Sequence, residues 1–321
     1  MLKRKYNLLY YIMVKDTIKV YKKRYKKNKI ANKHKKTIKF KKLNCSTSIK
    51  NKNYTCYSNT ELYKLRDIWN ARHPDRPIKT KKPKLIWDKL KEYYATICNK
   101  ESCWVRKMVK NTKLEIELLE AFAPESPKDW EKNPNEWLSS IDIIQVMNKY
   151  EKEYKCFDFL GPSPIDYDTH EINNTCVWEE LCHFKLSQQI KKGYTKIGII
   201  FNLDPHYKGG SHWVSLFINI NTNTIFYFDS AGEPIPKQIE KFVNTVIEQG
   251  NSLSSPIKFK FDQNYPVEHQ YGNTECGIYS LFFIIYMLQD KINGHYLKTH
   301  IIKDKYMENF RHVFYNKNGD I

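Results

Sequence analysis

Apolar side chains recur with period two over residues 195–203, 211–220 and 224–229, and each run predicts a β-strand. The middle run, Gly209-Gly210-Ser211-His212-Trp213-Val214-Ser215-Leu216-Phe217-Ile218-Asn219-Ile220, alternates like a strand with one buried face. Asn221-Thr222-Asn223 before the third run predicts a hairpin. A further strand is expected at 256–262, and helices at 137–154, near 177–190 and at 235–249. Ile278–Leu288 is apolar on every side, as expected of a helix enclosed by other elements. The pattern is α+β: a mixed or antiparallel sheet packed on a central helix that begins near Cys276. Residues 290–321 read as continuing helix and a frayed tail.

Upstream of the strands the spacing is helical. Leu62, Leu65, Ile68 and Trp69 share a face until His73-Pro74-Asp75 interrupts it. Leu85, Ile86, Leu90, Tyr93 and Tyr94 predict a second helix, and Leu114, Ile116, Leu118 and Leu119 a third. Pro124, Pro127 and Pro134 mark a boundary. The organisation expected is a basic arm over 1–45, a helical unit over 46–128 and a larger α+β domain over 129–321. The helical unit either packs against that domain or binds a substrate or partner. Trp104, beside Cys103, has no role in this reading.

Gly272-Asn273-Thr274-Glu275-Cys276-Gly277-Ile278-Tyr279-Ser280 puts a cysteine on a polar turn at the mouth of the apolar helix. Unpaired N–H groups and the positive end of the helix dipole stabilise a thiolate there. Gly277 is expected to leave the backbone beside the sulfur open to a substrate carbonyl. The alternative is an ordinary core cysteine. His212 starts one strand of the hairpin and Asp229 ends the next, so antiparallel pairing brings them to one end of the sheet. A thiol, an imidazole to take its proton and a carboxylate to orient the imidazole make a nucleophilic triad. Gln270, six residues before Cys276, is placed to point its amide at a developing oxyanion, with the Cys276 N–H as second donor.

The order His-Trp, then Asp at a strand end, then Gln-x-x-x-x-x-Cys-Gly, resembles the Ulp/adenain class of cysteine endopeptidases. That class includes SUMO-processing proteases and the core-polyprotein proteases of large cytoplasmic DNA viruses. Glu136-Trp137-Leu138 followed by Ile141, Ile143, Ile144 and Met147 is similar to the family's Trp-Leu helix start. The resemblance covers about residues 130–290. It implies His212 as base, Asp229 as orienter, Cys276 as nucleophile and Gln270 as oxyanion donor. Glu275 stands where SUMO proteases usually carry aspartate, and Ser139-Ser140 where they favour Asn-Asp. Leu160-Gly161-Pro162-Ser163-Pro164-Ile165-Asp166-Tyr167 and Phe201-Asn202-Leu203-Asp204 are similar to the viral branch.

The resemblance implies a cysteine endopeptidase that cleaves a viral polyprotein at Gly-Gly-type sites during virion maturation, in the virion and the host cytoplasm. Trp213 and Trp137 would cover a narrow substrate channel in which two residues without Cβ fit. The protein substrate is a polyprotein or a ubiquitin-like precursor, and no metal or organic cofactor is implied. A protease that removes SUMO or ubiquitin-like modifiers is the alternative. A non-enzymatic nucleic-acid-binding or scaffold protein with a vestigial triad is a more distant one.

Composition adds bounds. At 321 residues the chain holds one sizeable core plus a smaller unit. Its eight cysteines are irregularly spaced and predict no compact disulfide framework, as suits a thiol enzyme in a reducing compartment. Cys176, Cys182 and His183 fit no standard zinc spacing and lack a second ligand pair, so buried or surface thiols are expected there. Residues 1–42 hold seventeen Lys and Arg against one acid, Asp16, and so carry +16 of the net +19. That arm suits nucleic acid, an anionic surface or an acidic partner, or else is a solvated tail. Tyr6–Val14 is superficially like a signal peptide but is tyrosine-rich, lacks a small-residue cleavage site and is too short to span a bilayer. No transmembrane segment is expected elsewhere, and no repeat or phosphate-binding glycine loop is present.

Overall fold

The three period-two runs form the centre of a six-stranded sheet of order β1-β3-β4-β5-β6, with β2 also on β3. In the computed structural model, which describes residues 39–47, 54–171 and 174–321, the strands are β1 (Phe157–Phe159), β2 (Ser163–Pro164), β3 (Lys196–Asn202), β4 (Trp213–Asn219), β5 (Thr224–Phe228) and β6 (Lys260–Gln263). The pairs β3–β4 and β4–β5 are antiparallel, whereas β1 and β2 run parallel to β3 and β6 runs parallel to β5. The sheet is mixed, as the pattern predicts. β1 and β2 are additions to it, since strands of three and two residues carry too few positions to show a period.

Strand β4 departs from the reading of one buried face. All seven of its residues are buried, because the sheet lies between two layers. Ile200, Trp213, Phe217, Phe226 and Phe228 pack on the side of the helix Cys276–Leu288. Ile197, Ile199, Phe201, Val214, Leu216, Ile218, Ile225 and Tyr227 pack on the opposite side, with Ile239, Phe242 and Val246 of the helix Lys237–Asn251. The alternation therefore separates two cores, and the polar position Ser215 is fully buried. Gly198 on β3 permits the central helix to lie close. A Cβ there would stand 2.8 Å from Ile284 Cγ2 and 3.0 Å from the Phe157 ring.

The remaining elements of this unit complete the two cores on either side of the sheet. The helix Ser140–Glu153 begins with a capping box: Ser139 accepts from Asp142 N–H, and the Asp142 carboxylate accepts from Ser139 N–H. Ser139 is thus the N-cap of this helix. The segment read as one helix near 177–190 is two short ones, Glu179–Cys182 and Leu186–Lys191. The expected continuation as helix is present, while the expected frayed tail starts in the core, with Tyr315 and Asn316 buried. Helices Gly294–Thr299 and Asp304–Phe314 follow, and Met307, Phe310 and Phe314 are buried in the same cluster as the central helix.

The described residues divide into two units, one of 39–43 and 54–121, the other of 44–47 and 122–321. The smaller unit holds helices Asn59–Arg72, Pro83–Tyr94, Glu101–Val109 and Lys113–Leu119, of which the third was not expected. Trp104 on that third helix is fully buried and meets Trp87 edge-on at 5.9 Å, which gives it a packing role. Phe40 lies 5.7 Å from Trp87 and 5.6 Å from Trp104, so the folded unit begins before residue 45. The arm to residue 38, including Tyr6–Val14, lies outside the described residues. Among the described residues no helix is long and apolar enough to cross a membrane. The sulfurs of Cys98 and Cys103, and of Cys176 and Cys182, lie at disulfide distance where separate thiols were expected, while Cys156 and Cys276 are free.

Gly198→Val should destabilise this unit by about 1–3 kcal/mol, the usual cost of overpacking a tight core. Gly209→Ala should be near neutral, because nothing lies within 4 Å of its Cβ position. Urea-denaturation midpoints of the two variants test this. Equal midpoints would show that the helix does not depend on Gly198.

Candidate active site

Cys276 is the first residue of the central helix and is 2% exposed. Its helix has no side-chain N-cap, because the N-cap residue, Glu275, faces inward. The Glu275 carboxylate pairs with the Arg311 guanidinium at 2.8 Å, and both side chains are buried. Arg311 also donates to the carbonyls of Glu136 at 2.7 Å and Thr274 at 2.9 Å, and stacks over Trp130. One cation therefore joins the turn before Cys276 to the segment before Trp137. On the other side of that turn, Asp304 accepts from the N–H groups of Tyr271 and Gly272 at 3.0 and 2.9 Å.

Gly277 does not open the backbone to a ligand as expected. A Cβ there would meet Leu138 at 3.1 Å and Trp213 Cδ1 at 3.3 Å, so the missing side chain accommodates neighbours of the same chain. Trp213, 8% exposed, is a core residue whose indole N–H donates to the Leu138 carbonyl at 3.0 Å. It lies against the first turn of the central helix, beside Gly277. Trp137, next to Leu138, is 39% exposed and presents the free aromatic surface.

His212 immediately precedes β4 and Asp229 immediately follows β5. The register pairs Ser215 with Phe228, so both residues emerge at the same end of the hairpin. His212 Nε2 lies 2.7 Å from Asp229 Oδ1, which also accepts from Ala231 N–H at 2.8 Å. With Nε2 engaged, Nδ1 is the nitrogen left for a thiol. Burial alone would lower the imidazole pKa. The Asp229 carboxylate and the neighbouring Cys276 sulfur outweigh it and push the pKa up to about 10.

Asn264, which the sequence reading did not single out, fixes the backbone of Asp229. It is fully buried, its Oδ1 accepts from Asp229 N–H at 2.9 Å, and its Nδ2 donates to the carbonyls of Asp229 at 2.7 Å and Val267 at 2.8 Å. Gln270 is likewise held. Its Oε1 accepts from Ser230 Oγ at 2.7 Å, and its Nε2 donates to the Gly272 carbonyl at 3.0 Å. Because Ser230 claims the oxygen, the amide nitrogen faces the turn before Cys276. One signal for Arg311 was present in the sequence: an acid at the start of an apolar helix needs a partner. Nothing local distinguishes Asn264 from other strand-end asparagines.

A sulfur beside an imidazole that a buried carboxylate holds is the equipment of a cysteine protease, and the comparisons with known proteins agree. Residues 191–319 match the Ulp1 protease family, C-terminal catalytic domain. A protein of Acanthamoeba polyphaga mimivirus, named a thiol protease, is 30% identical over 259 residues, covering 74% of this chain and 81% of that protein. A cysteine protease of African swine fever virus is 28% identical over 234 residues, 68% of this chain and 83% of its own. The chain belongs to the Ulp1 family of cysteine proteases. A crystal structure of the African swine fever virus protease shares its fold, with a TM-score of 0.60 at 21% identity over 85% of this chain and 96% of that one.

Arg311→Met should cost about 3–5 kcal/mol, since it strands the Glu275 carboxylate in the core. Adding Glu275→Gln should recover part of that loss. Chemical denaturation of the single and double variants measures both, and a cost below about 1 kcal/mol for Arg311→Met would show that the buried pair does not hold the turn.

Proposed function

We propose that Cys276 is the nucleophile of an endopeptidase acting on a viral polyprotein at Gly-Gly-type sites during virion maturation, in the virion and the host cytoplasm. The observation that carries the reading is the 2.7 Å contact of His212 with Asp229, with the Cys276 sulfur beside the same imidazole. With its proton transferred to His212 Nδ1, the sulfur attacks the scissile carbonyl carbon, and the carbonyl oxygen becomes anionic between the Cys276 N–H and the Gln270 amide. His212 then gives its Nδ1 proton to the leaving amine as the C–N bond breaks. Water, deprotonated by His212, attacks the thioester and releases the carboxylate product with the free thiol. Asp229 holds the ring in one orientation throughout.

The resemblance to the viral branch of the class supports a polyprotein substrate. Trp137, exposed and adjacent to the Leu138–Gly277 contact, supports a narrow cleft next to the sulfur. Glycines before the scissile bond fit under an indole where a methyl group clashes. Some African swine fever virus relatives carry the name SUMO-1 cysteine protease, which favours modifiers ending in diglycine as the second substrate class. The arm to residue 38 supplies a docking site for nucleic acid or an anionic surface. Binding of DNA by the full chain should fall steeply with salt and be lost on deleting 1–38, and retention by the truncated chain would contradict this.

Peptide libraries and candidate polyproteins, followed by sequencing of new N-termini, test the substrate. Gly-Gly should exceed Ala-Ala in kcat/KM by at least tenfold, since each misfitting methyl costs roughly 1–3 kcal/mol. Equal cleavage after large apolar residues would make the chain a general endopeptidase, and cleavage confined to modifier fusions would select the second class.

Site variants and pH test the machinery. Cys276→Ala and His212→Ala should abolish cleavage, and Gln270→Ala should lower kcat by roughly 10²–10³ with little change in KM. A loss confined to KM would remove Gln270 from the oxyanion. The raised imidazole pKa keeps His212 protonated at neutral pH, so the alkaline limb of kcat/KM should fall near pH 10 rather than near 6.5. The same shift stabilises the fold below pH 6.5, and that contribution is lost as pH rises through about 10. Asp229→Asn should move the alkaline limb downward and cost up to about 10⁴ in kcat. An unmoved limb would detach Asp229 from His212.

A further inference from the structure

Away from the active site, the chain between β2 and β3 brings together four side chains that the sequence spacing does not relate. Residues 167–171 and 174–178 pair with each other: Val177 N–H donates to the Thr169 carbonyl at 2.9 Å, and Glu171 N–H to the Thr175 carbonyl at 2.8 Å. This sets His170 opposite Cys176 in an antiparallel bridge. The helix Glu179–Cys182 follows at once and returns Cys182 and His183 to the same place. His170 Nε2 and His183 Nε2 lie 3.7 and 3.8 Å from Cys176 Sγ, and the Cys182 sulfur lies at disulfide distance from it.

Two imidazole nitrogens converging on one sulfur have no part in a disulfide. They do have the spacing of ligands around a metal. With zinc–sulfur near 2.3 Å and zinc–nitrogen near 2.05 Å, a tetrahedral site separates sulfur from nitrogen by about 3.6 Å. The Cys98–Cys103 pair has no such company. Among the described residues, the groups of three or more side chains able to hold a metal all fall in this cluster.

We propose that, with Cys176 and Cys182 as thiols, His170, Cys176, Cys182 and His183 bind one zinc ion. Each cysteine gives up its thiol proton on coordination, and each histidine binds through neutral Nε2. Glu179 prepares the site. Its Oε1 accepts from Cys176 N–H at 2.9 Å, and its Oε2 lies 3.1 Å from His183 Nε2, the contact the metal would replace. Cys176 is buried, and Leu181 and Phe184 on either side of the Cys182-His183 pair are packed in the second core. Four protein ligands leave no open position, so the site is structural and ties the fold-back to the short helix. It also gives the eight-cysteine chain a use for two thiols in the reducing setting that the proposed Cys276 chemistry requires.

The test uses the full chain carrying Cys276→Ala, so that neither the proposed nucleophile nor its activity enters the readout. The protein is purified with a phosphine reductant and without chelator, its zinc measured by mass spectrometry, and cobalt(II) exchanged for zinc. About one zinc per chain is expected, and the cobalt form should show sulfur-to-cobalt charge transfer with the intense visible bands of a tetrahedral S₂N₂ site. His170→Ala, His183→Ala and Cys176→Ser should each reduce zinc content and weaken those bands, while Cys98→Ser should not. The two histidines are exposed, so their variants read the site even if Cys176→Ser fails to fold. Fully reduced protein that takes up neither zinc nor cobalt, or metal binding unaffected by both histidine variants, would overturn the proposal.

Discussion

The central helix must be buried on every side while its first residue stays within reach of a substrate. That constraint governs the rest of the larger unit. A run as apolar as Ile278–Leu288 gains most by being enclosed, and strands, flanking helices and the C-terminal helix Asp304–Phe314 surround it. Close enclosure needs room, which Gly198 provides on β3 and Gly277 on the helix itself. It also brings Glu275 into the core, where only a buried cation offsets the cost of its charge. Arg311 supplies that cation from the C-terminal helix, so a residue far along the chain sets the turn that carries Cys276.

The hairpin solves a second problem, bringing an imidazole to the sulfur from the end of a paired strand. His212 and Asp229 flank paired strands, so backbone register aligns them before any side-chain contact forms. Asn264 then holds the Asp229 backbone, the Ala231 N–H holds its carboxylate, and Ser230 orients the Gln270 amide. Asp229 and Ser230 are consecutive, so one strand end aims both the imidazole and the amide. The supporting bonds are short-range and polar, inside an apolar setting that strengthens them.

How far the sequence is legible follows from which forces act locally. The strands β3 to β5, the helix at Cys276 and the residues His212, Asp229, Gln270 and Cys276 are marked by period, turn chemistry and motif order. Asn264, Ser230 and Arg311 are not, because their roles depend on partners between 35 and 40 residues away. Ser215 and Asn219 make β4 look half exposed, although both are buried in a two-sided sheet. The difference in exposure between Trp213 and Trp137 has the same origin. Both are tryptophans beside site residues, and only packing decides which one is covered. His170 could not be linked to Cys176 until the fold-back paired them.

The most direct test of the account is covalent capture of the nucleophile. A short peptide ending in diglycine and carrying a C-terminal electrophile in place of the scissile amide should form a single adduct, which peptide mapping by mass spectrometry would locate on Cys276. His212→Ala should slow its formation strongly, and an Ala-Ala version of the peptide should react poorly. Labelling spread over several cysteines, or an adduct on Cys276 that forms equally fast without His212, would contradict an assembled Cys276–His212–Asp229 site.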